Sequence, residues 1–185
     1  AEIDTVPVGR DSGWQLTAPL IEQHWQTKTR LAMLASPSNP TGHTLDAEAL
    51  TKVIDKVAAK GGDVIVDEIY QGLNYDDAPL SATSLSDDAF VVNSFSKYFG
   101  MTGWRLGWLV APEQAVEPLT RLAQNVFLAA PTPSQHAALA AFTPECRDIL
   151  ETRRATLKQR RQVLLDGLAE LGLAPDLPPQ GAFYL

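Results

Sequence analysis

Short apolar runs at residues 31–35, 63–66 and 90–93, each cut off by a polar residue or a turn, limit the folds open to this chain. Such runs are too short for helices and show little polar alternation, the pattern of strands buried on both faces of a sheet. The first, Leu31-Ala32-Met33-Leu34-Ala35, closes at Ser36-Pro37. After the turn Asn39-Pro40-Thr41-Gly42, the residues Leu45, Ala49, Leu50, Val53, Ile54 and Val57 recur at helical spacing. Thr44 or Asp46 can cap that helix, and Gly61-Gly62 stops it. The second run ends at Asp67, the third leads to Lys97, and a further strand is expected at 106–110, closed by Ala111-Pro112. Strands alternating with a helix predict α/β architecture with a mostly parallel sheet.

The rest of the chain reads more loosely. A polar loop with Asn74, Asp76, Asp77 and Pro79 follows the second run. Residues 116–142 are apolar and helical in pattern, broken at Pro131 and Pro133. From Pro144 a long helix is expected, with Leu150, Leu157, Leu164, Leu168 and Leu171 on one face. Arg153, Arg154, Lys158, Arg160 and Arg161 then form a solvated face. Gly172, Pro175, Pro178 and Pro179 mark a passage toward another domain. Residues 3–8 alternate like a strand, and 183–185 read as the beginning of an apolar one. Trp104 and Trp108 are expected in core packing.

Chemistry concentrates after the third run. An ammonium at a buried strand end is costly without a partner, so Lys97 is expected to lose its proton or to form an imine with a carbonyl cofactor. Arg105, carried back by a glycine-containing turn, suits a phosphate held by two parallel hydrogen bonds. A carbonyl cofactor that also carries a phosphate is pyridoxal 5′-phosphate (PLP). Asp67 closes another buried strand, where a carboxylate needs a partner or serves as a cap.

The stretch from Ser94-Phe95-Ser96-Lys97-Tyr98-Phe99-Gly100 through Met101-Thr102-Gly103-Trp104-Arg105-Leu106-Gly107 resembles the lysine signature of class I (aspartate aminotransferase-like) PLP enzymes of fold type I. Two further blocks are similar to that family and stand in its order: Ser36-Pro37-Ser38-Asn39-Pro40-Thr41-Gly42 and Val64-Ile65-Val66-Asp67-Glu68-Ile69-Tyr70. Gly181-Ala182-Phe183-Tyr184 resembles a segment near the family's small domain. The resemblance implies a three-layer α/β/α large domain, incomplete in this chain, over residues 1–143. Residues 144–185 are then a long connecting helix and the start of a C-terminal small domain. It implies Lys97 as covalent anchor and Asp67 facing the pyridine nitrogen. Tyr70 and Asn39 would hydrogen-bond the phenolic ring oxygen, and Arg105 and Ser94 would belong to the phosphate cradle. Asn39 before a proline is also an ordinary turn residue, and Tyr70 an ordinary strand-end aromatic. The stacking aromatic and further phosphate ligands are expected upstream of Ala1, and an arginine for the substrate carboxylate beyond Leu185. Losing neighbours upstream would leave apolar sheet surface.

The implied reaction is transamination between an amino acid and a 2-oxo acid, in a cytoplasmic homodimer. A PLP-dependent lyase or synthase on the same fold is the enzymatic alternative, since fold does not fix reaction type. An aminotransferase-like sensor domain of a transcription regulator is the non-enzymatic one. The net charge of −7 argues against a nucleic-acid surface or a basic membrane patch. No apolar stretch has the length of a membrane span. Cys146 is alone, which speaks against a disulfide framework, and His24, His43 and His136 show no metal-ligand spacing.

Overall fold

The computed structural model describes residues 2–76 and 78–185; Asp77 of the polar loop and Ala1 lie outside the described residues. Four strands form one sheet in the order β1-β2-β3-β4: β1 Leu31–Ala35, β2 Asp63–Asp67, β3 Phe90–Ser94 and β4 Gly107–Val110. The first three are parallel, with Ala35, Asp67 and Val92 in register. Strand β4 returns antiparallel, setting Gly107 opposite Ser94. The sheet is mostly parallel, as expected. Its three parallel strands therefore end on one edge, where loops at the carboxyl ends of such strands form ligand crevices.

Helices α1 (Ala18–His24) and α2 (Ala47–Ala59) cover one face of the sheet. Helix α2 starts where the Asp46 carboxylate accepts the Ala49 N–H at 2.8 Å, and ends before Gly61, whose φ of 70° suits glycine. Its face of Leu50, Val53, Ile54 and Val57 is buried against Ala32, Leu34, Val64, Val66 and Val91. This is the main core, and it fixes where β1, β2 and β3 stop.

The expectation of strands buried on both faces fails. In β1 the alternate residues Leu31 and Met33 are 47% and 65% exposed, and Val92 and Leu109 are exposed too. Successive strand residues point to opposite faces, so one face packs on α2 while the described residues leave the other bare. The second helical layer of a three-layer fold is thus not formed by the described residues. An apolar sheet face of this kind is a surface awaiting cover.

Helices α3 (Glu113–Val126), α4 (Thr132–Ala140) and α5 (Pro144–Glu170) follow the sheet. The break falls at Pro131 as expected, but Pro133 lies inside the first turn of α4, where its missing N–H costs nothing. Thr143 caps α5 by accepting the Cys146 N–H. The leucine stripe of α5 is covered only in part: Leu150 is buried, whereas Leu164 and Leu171 are exposed.

Four further expectations need correction. Residues 3–8 form no strand, because alternation without a ladder partner does not order a strand and Pro7 lacks a donor. Residues 183–185 are likewise irregular; chain pairing stops at the Asn74–Gly181 bridge. Trp104 and Trp108 are exposed, although Trp108 meets Phe95 edge-on at 5.1 Å. The basic run of α5 is no freely solvated face. Arg154 donates to the Asn74 carbonyl at 3.1 Å and Lys158 to the Tyr75 carbonyl at 2.5 Å. Arg161 pairs with Asp76 at 2.7 Å and lies over the Tyr75 ring. The loop after β2 presents these acceptors to α5, which sequence spacing along the helix does not show.

Glu68, directly after Asp67, is buried and accepts the Ala82 N–H at 2.7 Å. Burial pushes its carboxyl above the usual carboxylate range. A raised folded-state value favours the protonated fold, so the stability it contributes is present in acid and lost as pH rises through that value. Glu68→Gln keeps the acceptor oxygen and removes the charge. It should raise the melting temperature by a few degrees near neutral pH and change it little in acid. Thermal unfolding at both pH values checks this; equal shifts at both would contradict it.

Candidate active site

The carboxyl ends of β1, β2 and β3 bring the sequence-predicted residues to one edge of the sheet. Asp67 is the last residue of β2, half-buried, and its Oδ1 accepts the Ile69 N–H at 2.9 Å. That bond turns the chain sharply toward Tyr70, which is 2% exposed. Asn39 follows β1 in the turn before Pro40 and is exposed, with no recorded side-chain hydrogen bond among the described residues.

Lys97 stands three residues beyond β3, not directly at its end as the sequence suggested. The intervening turn is tightly tied. Phe95 N–H donates to the Leu106 carbonyl at 3.0 Å, Met101 N–H to the Phe95 carbonyl at 2.9 Å, and Thr102 Oγ1 to the Ser96 carbonyl at 2.7 Å. Ser94 Oγ accepts from the Ser96 N–H at 3.0 Å and lies 2.9 Å from Ser96 Oγ. Tyr98, next to Lys97, donates to Glu151 of α5 at 2.6 Å; burial first and this bond second push its phenol up to about 12. The loop is thereby fixed at both sides of Lys97.

The half-buried Lys97 amine lies 5.4 Å from the centre of the Tyr70 ring and 5.6 Å from that of Phe183. Among the described residues it has no carboxylate partner within ion-pair distance. A lysine amine that lies against aromatic faces and is not tied to an anion has its nitrogen open to a carbonyl. Arg105 is exposed, has a left-handed φ of 52°, and commits one Nη1 to the Thr102 carbonyl at 3.0 Å. The rest of its planar fork is open to an anion. Gly107 lets β4 approach here, since a Cβ there would sit 2.7 Å from the Asn93 carbonyl beside Ser94. Among the described residues the set fits a phosphate-bearing carbonyl cofactor: an amine without an ion-pair partner, a strand-end carboxylate with Oδ2 free, a buried phenol and an open guanidinium.

Phe183 and Tyr184 were missed as site residues. Their segment crosses the sheet edge as a strap between the 36–44 turn and the Tyr70–Tyr75 segment. Gly181 N–H donates to the Gly42 carbonyl at 2.9 Å, Ala182 N–H to the Leu73 carbonyl at 2.9 Å, and Tyr75 N–H to the Gln180 carbonyl at 2.9 Å. His43 Nε2 meets the Leu177 carbonyl at 3.1 Å. Tyr70 then packs edge-on against Phe183 at 5.4 Å and Tyr184 at 5.6 Å. The only local signal was an aromatic pair placed straight after Gly181-Ala182; the contacts themselves span more than a hundred residues.

Gly42 is where turn and strap touch. Its φ is +66°, and a Cβ would sit 2.6 Å from the Gly181 oxygen and 2.7 Å from Pro179 Cβ. Gly42→Ala combines left-handed strain with a backbone clash and should cost about 2–4 kcal/mol. Denaturant unfolding measures it; a loss no greater than that of an exposed Gly→Ala change would contradict the packing described.

Comparison with known proteins agrees with this arrangement. The family described as aminotransferase class I and II matches residues 1–185. The chain is 39% identical to the valine–pyruvate aminotransferase of Mycobacterium tuberculosis, covering 100% of this chain and 48% of that protein. It is 39% identical to a probable N-acetyl-LL-diaminopimelate aminotransferase of Bacillus subtilis, covering 94% and 44%. Among solved structures, an aminotransferase from Mycobacterium tuberculosis superposes with a TM-score of 0.90 at 38% identity, over 96% of this chain and 46% of that one. The aspartate aminotransferase of Thermus thermophilus with maleate gives 0.88 at 27% identity, over 96% and 47%. The chain spans about half the length of these relatives. The order of the strands, the lysine turn behind β3 and a match running the full length of the chain agree: it belongs to the class I and II aminotransferase family.

Proposed function

We propose that the protein is a PLP-dependent aminotransferase, moving an amino group between an amino acid and a 2-oxo acid. The observation that carries this reading is the Lys97 amine, held over the rings of Tyr70 and Phe183 without an anionic partner among the described residues. When bound, PLP supplies a carbonyl that takes up an amino group and a protonated ring that accepts electrons. Lys97 would hold it through Nζ, and that same Nζ would carry the proton that must leave or reach the substrate α-carbon. Asp67 would keep the ring nitrogen protonated. Tyr70 and Asn39 would donate to the ring oxygen, and Arg105 with Ser94 would hold the phosphate.

The relatives' printed names favour transamination over lyase, synthase or sensor readings, since each quoted above is an aminotransferase. Their substrates differ, so donor and acceptor are left open within amino acids and 2-oxo acids. Residues 1–143 are read as part of the PLP-binding domain, and 144–185 as connecting helix and start of a small domain. A homodimer belongs to the same reading, supported by apolar residues exposed on α3 such as Val116, Leu122 and Val126. A cytoplasmic location does too, supported by the lone Cys146; no helix of the described residues is long and apolar enough to cross a membrane.

The test is to load the full-length protein with PLP and to assay valine, alanine, aspartate and aromatic donors against pyruvate and 2-oxoglutarate. Amino transfer with at least one pair is expected. A cofactor-bound protein that eliminates or cyclises its substrates without returning the amino group would overturn transamination.

A further inference from the structure

We propose that Tyr184 is a positioning residue of the site, whose hydroxyl donates to Tyr70 and leaves the Tyr70 proton free for the oxygen of a bound ring. The two hydroxyls are in direct hydrogen-bond contact, and neither has another recorded partner among the described residues. Each phenol has one proton to give and lone pairs to accept. If Tyr70 gave its proton to Tyr184, it would have none for a ligand. If Tyr184 gives, Tyr70 is both oriented and made a stronger donor, because hydrogen bonds in a chain polarise one another.

Three features favour the second arrangement. Tyr70 is almost wholly buried, with its ring between Lys97, Phe183 and Tyr184, whereas Tyr184 reaches it from the half-exposed strap. The bond to Tyr70 first, and burial second, raise the Tyr184 phenol above its ordinary range, as suits the donor of the pair, against the opposing pull of the Lys97 charge. The backbone also bears strain at this point: Ala182, fully buried, has a left-handed φ of 61°. A non-glycine residue persists there only when its surroundings over-determine it, and such residues gather at functional sites. Here the strained residue is locked by its N–H to the Leu73 carbonyl and by its own carbonyl, which accepts from Tyr75 Oη. The turn it makes aims Phe183 and Tyr184 at Tyr70.

The inference rests on PLP as cofactor and is tested by a spectrum, not by turnover. In the full-length, PLP-loaded protein, the pH midpoint of the bound cofactor's visible absorbance is measured for wild type, Tyr184→Phe, Tyr70→Phe and the double variant. Phenylalanine keeps the ring packing, and thermal melting checks that each variant folds. A weaker donor at the ring oxygen raises the basicity of the lysine-bound imine. Tyr184→Phe should therefore raise the midpoint by about half a pH unit to one unit, the scale of one hydrogen bond. Tyr70→Phe should raise it further, and the double variant should match Tyr70→Phe alone. An unchanged midpoint in Tyr184→Phe, or shifts that add in the double variant, would overturn the inference while leaving the proposed function standing. Wild-type protein with no visible cofactor band would overturn both.

Discussion

Lys97→Ala is expected to abolish transamination and the visible band of the protein-bound cofactor, with a rate loss on the order of 10⁶-fold, as when a covalent nucleophile is removed. Among the described residues no other lysine stands in this place: Lys28 is exposed in the turn ahead of β1. Lys52 pairs with Glu48, and Lys56 and Lys60 both pair with Glu22. Lys158, on α5, is committed to the Tyr75 carbonyl of the loop after β2. Only Lys97 stands on the turn behind β3 with its amine against aromatic rings. The structural cost should be small, because the turn is held by the backbone bonds of Phe95 and Met101 and by Thr102, not by the lysine side chain. Single-turnover absorbance with an amino donor measures the loss, and thermal melting confirms the fold. A variant with more than a trace of activity would remove Lys97 from the centre of the site.

The second large effect is expected from Asp67→Asn. Asparagine is nearly isosteric, and its Oδ1 can still accept the Ile69 N–H that holds the turn to Tyr70. What disappears is the negative charge at the end of β2. Under the proposed reading that charge keeps the cofactor ring protonated, so its loss should raise the barrier of the proton-transfer step by about 3–5 kcal/mol, roughly a hundred- to several-thousand-fold in rate. Cofactor should remain bound through Lys97 and Arg105. Single-turnover kinetics separates the two outcomes. An unchanged rate would mean that Asp67 is only the cap of its own turn.

Much of this arrangement is legible in the sequence, for local reasons. The apolar stripe of α2, its Asp46 cap and the Gly61 stop are encoded within a dozen or so neighbouring residues. The strands β1, β2 and β3 were legible as short apolar runs, and the three blocks around Asn39, Asp67-Tyr70 and Lys97-Arg105 follow their carboxyl ends. What could not be read was set by partners far along the chain. Leu31 and Met33 look like core in sequence, yet whether a strand face is covered depends on which segment lies over it. Arg154, Lys158 and Arg161 look like a solvated face because their acceptors, Asn74, Tyr75 and Asp76, belong to a distant loop. Phe183 and Tyr184 were read as a strand beginning. Their place against Tyr70 follows from the close approach of Gly42 and Gly181, which has no periodic signature. Lys97 and Asp67 stand out because a charge conflicts with burial, and the others because they lie in the blocks that resemble the family; the rings of Phe183 and Tyr184 raise no such alarm.

The proposed chemistry turns on one nitrogen being the covalent anchor. Loading the full-length protein with PLP, reducing it with borohydride and mapping the peptides by mass spectrometry tests that directly. The account predicts a single pyridoxyl modification on Lys97, in the peptide that carries Tyr98 and Phe99. A modification on Lys28, Lys52, Lys56, Lys60 or Lys158, or none on Lys97, would contradict it.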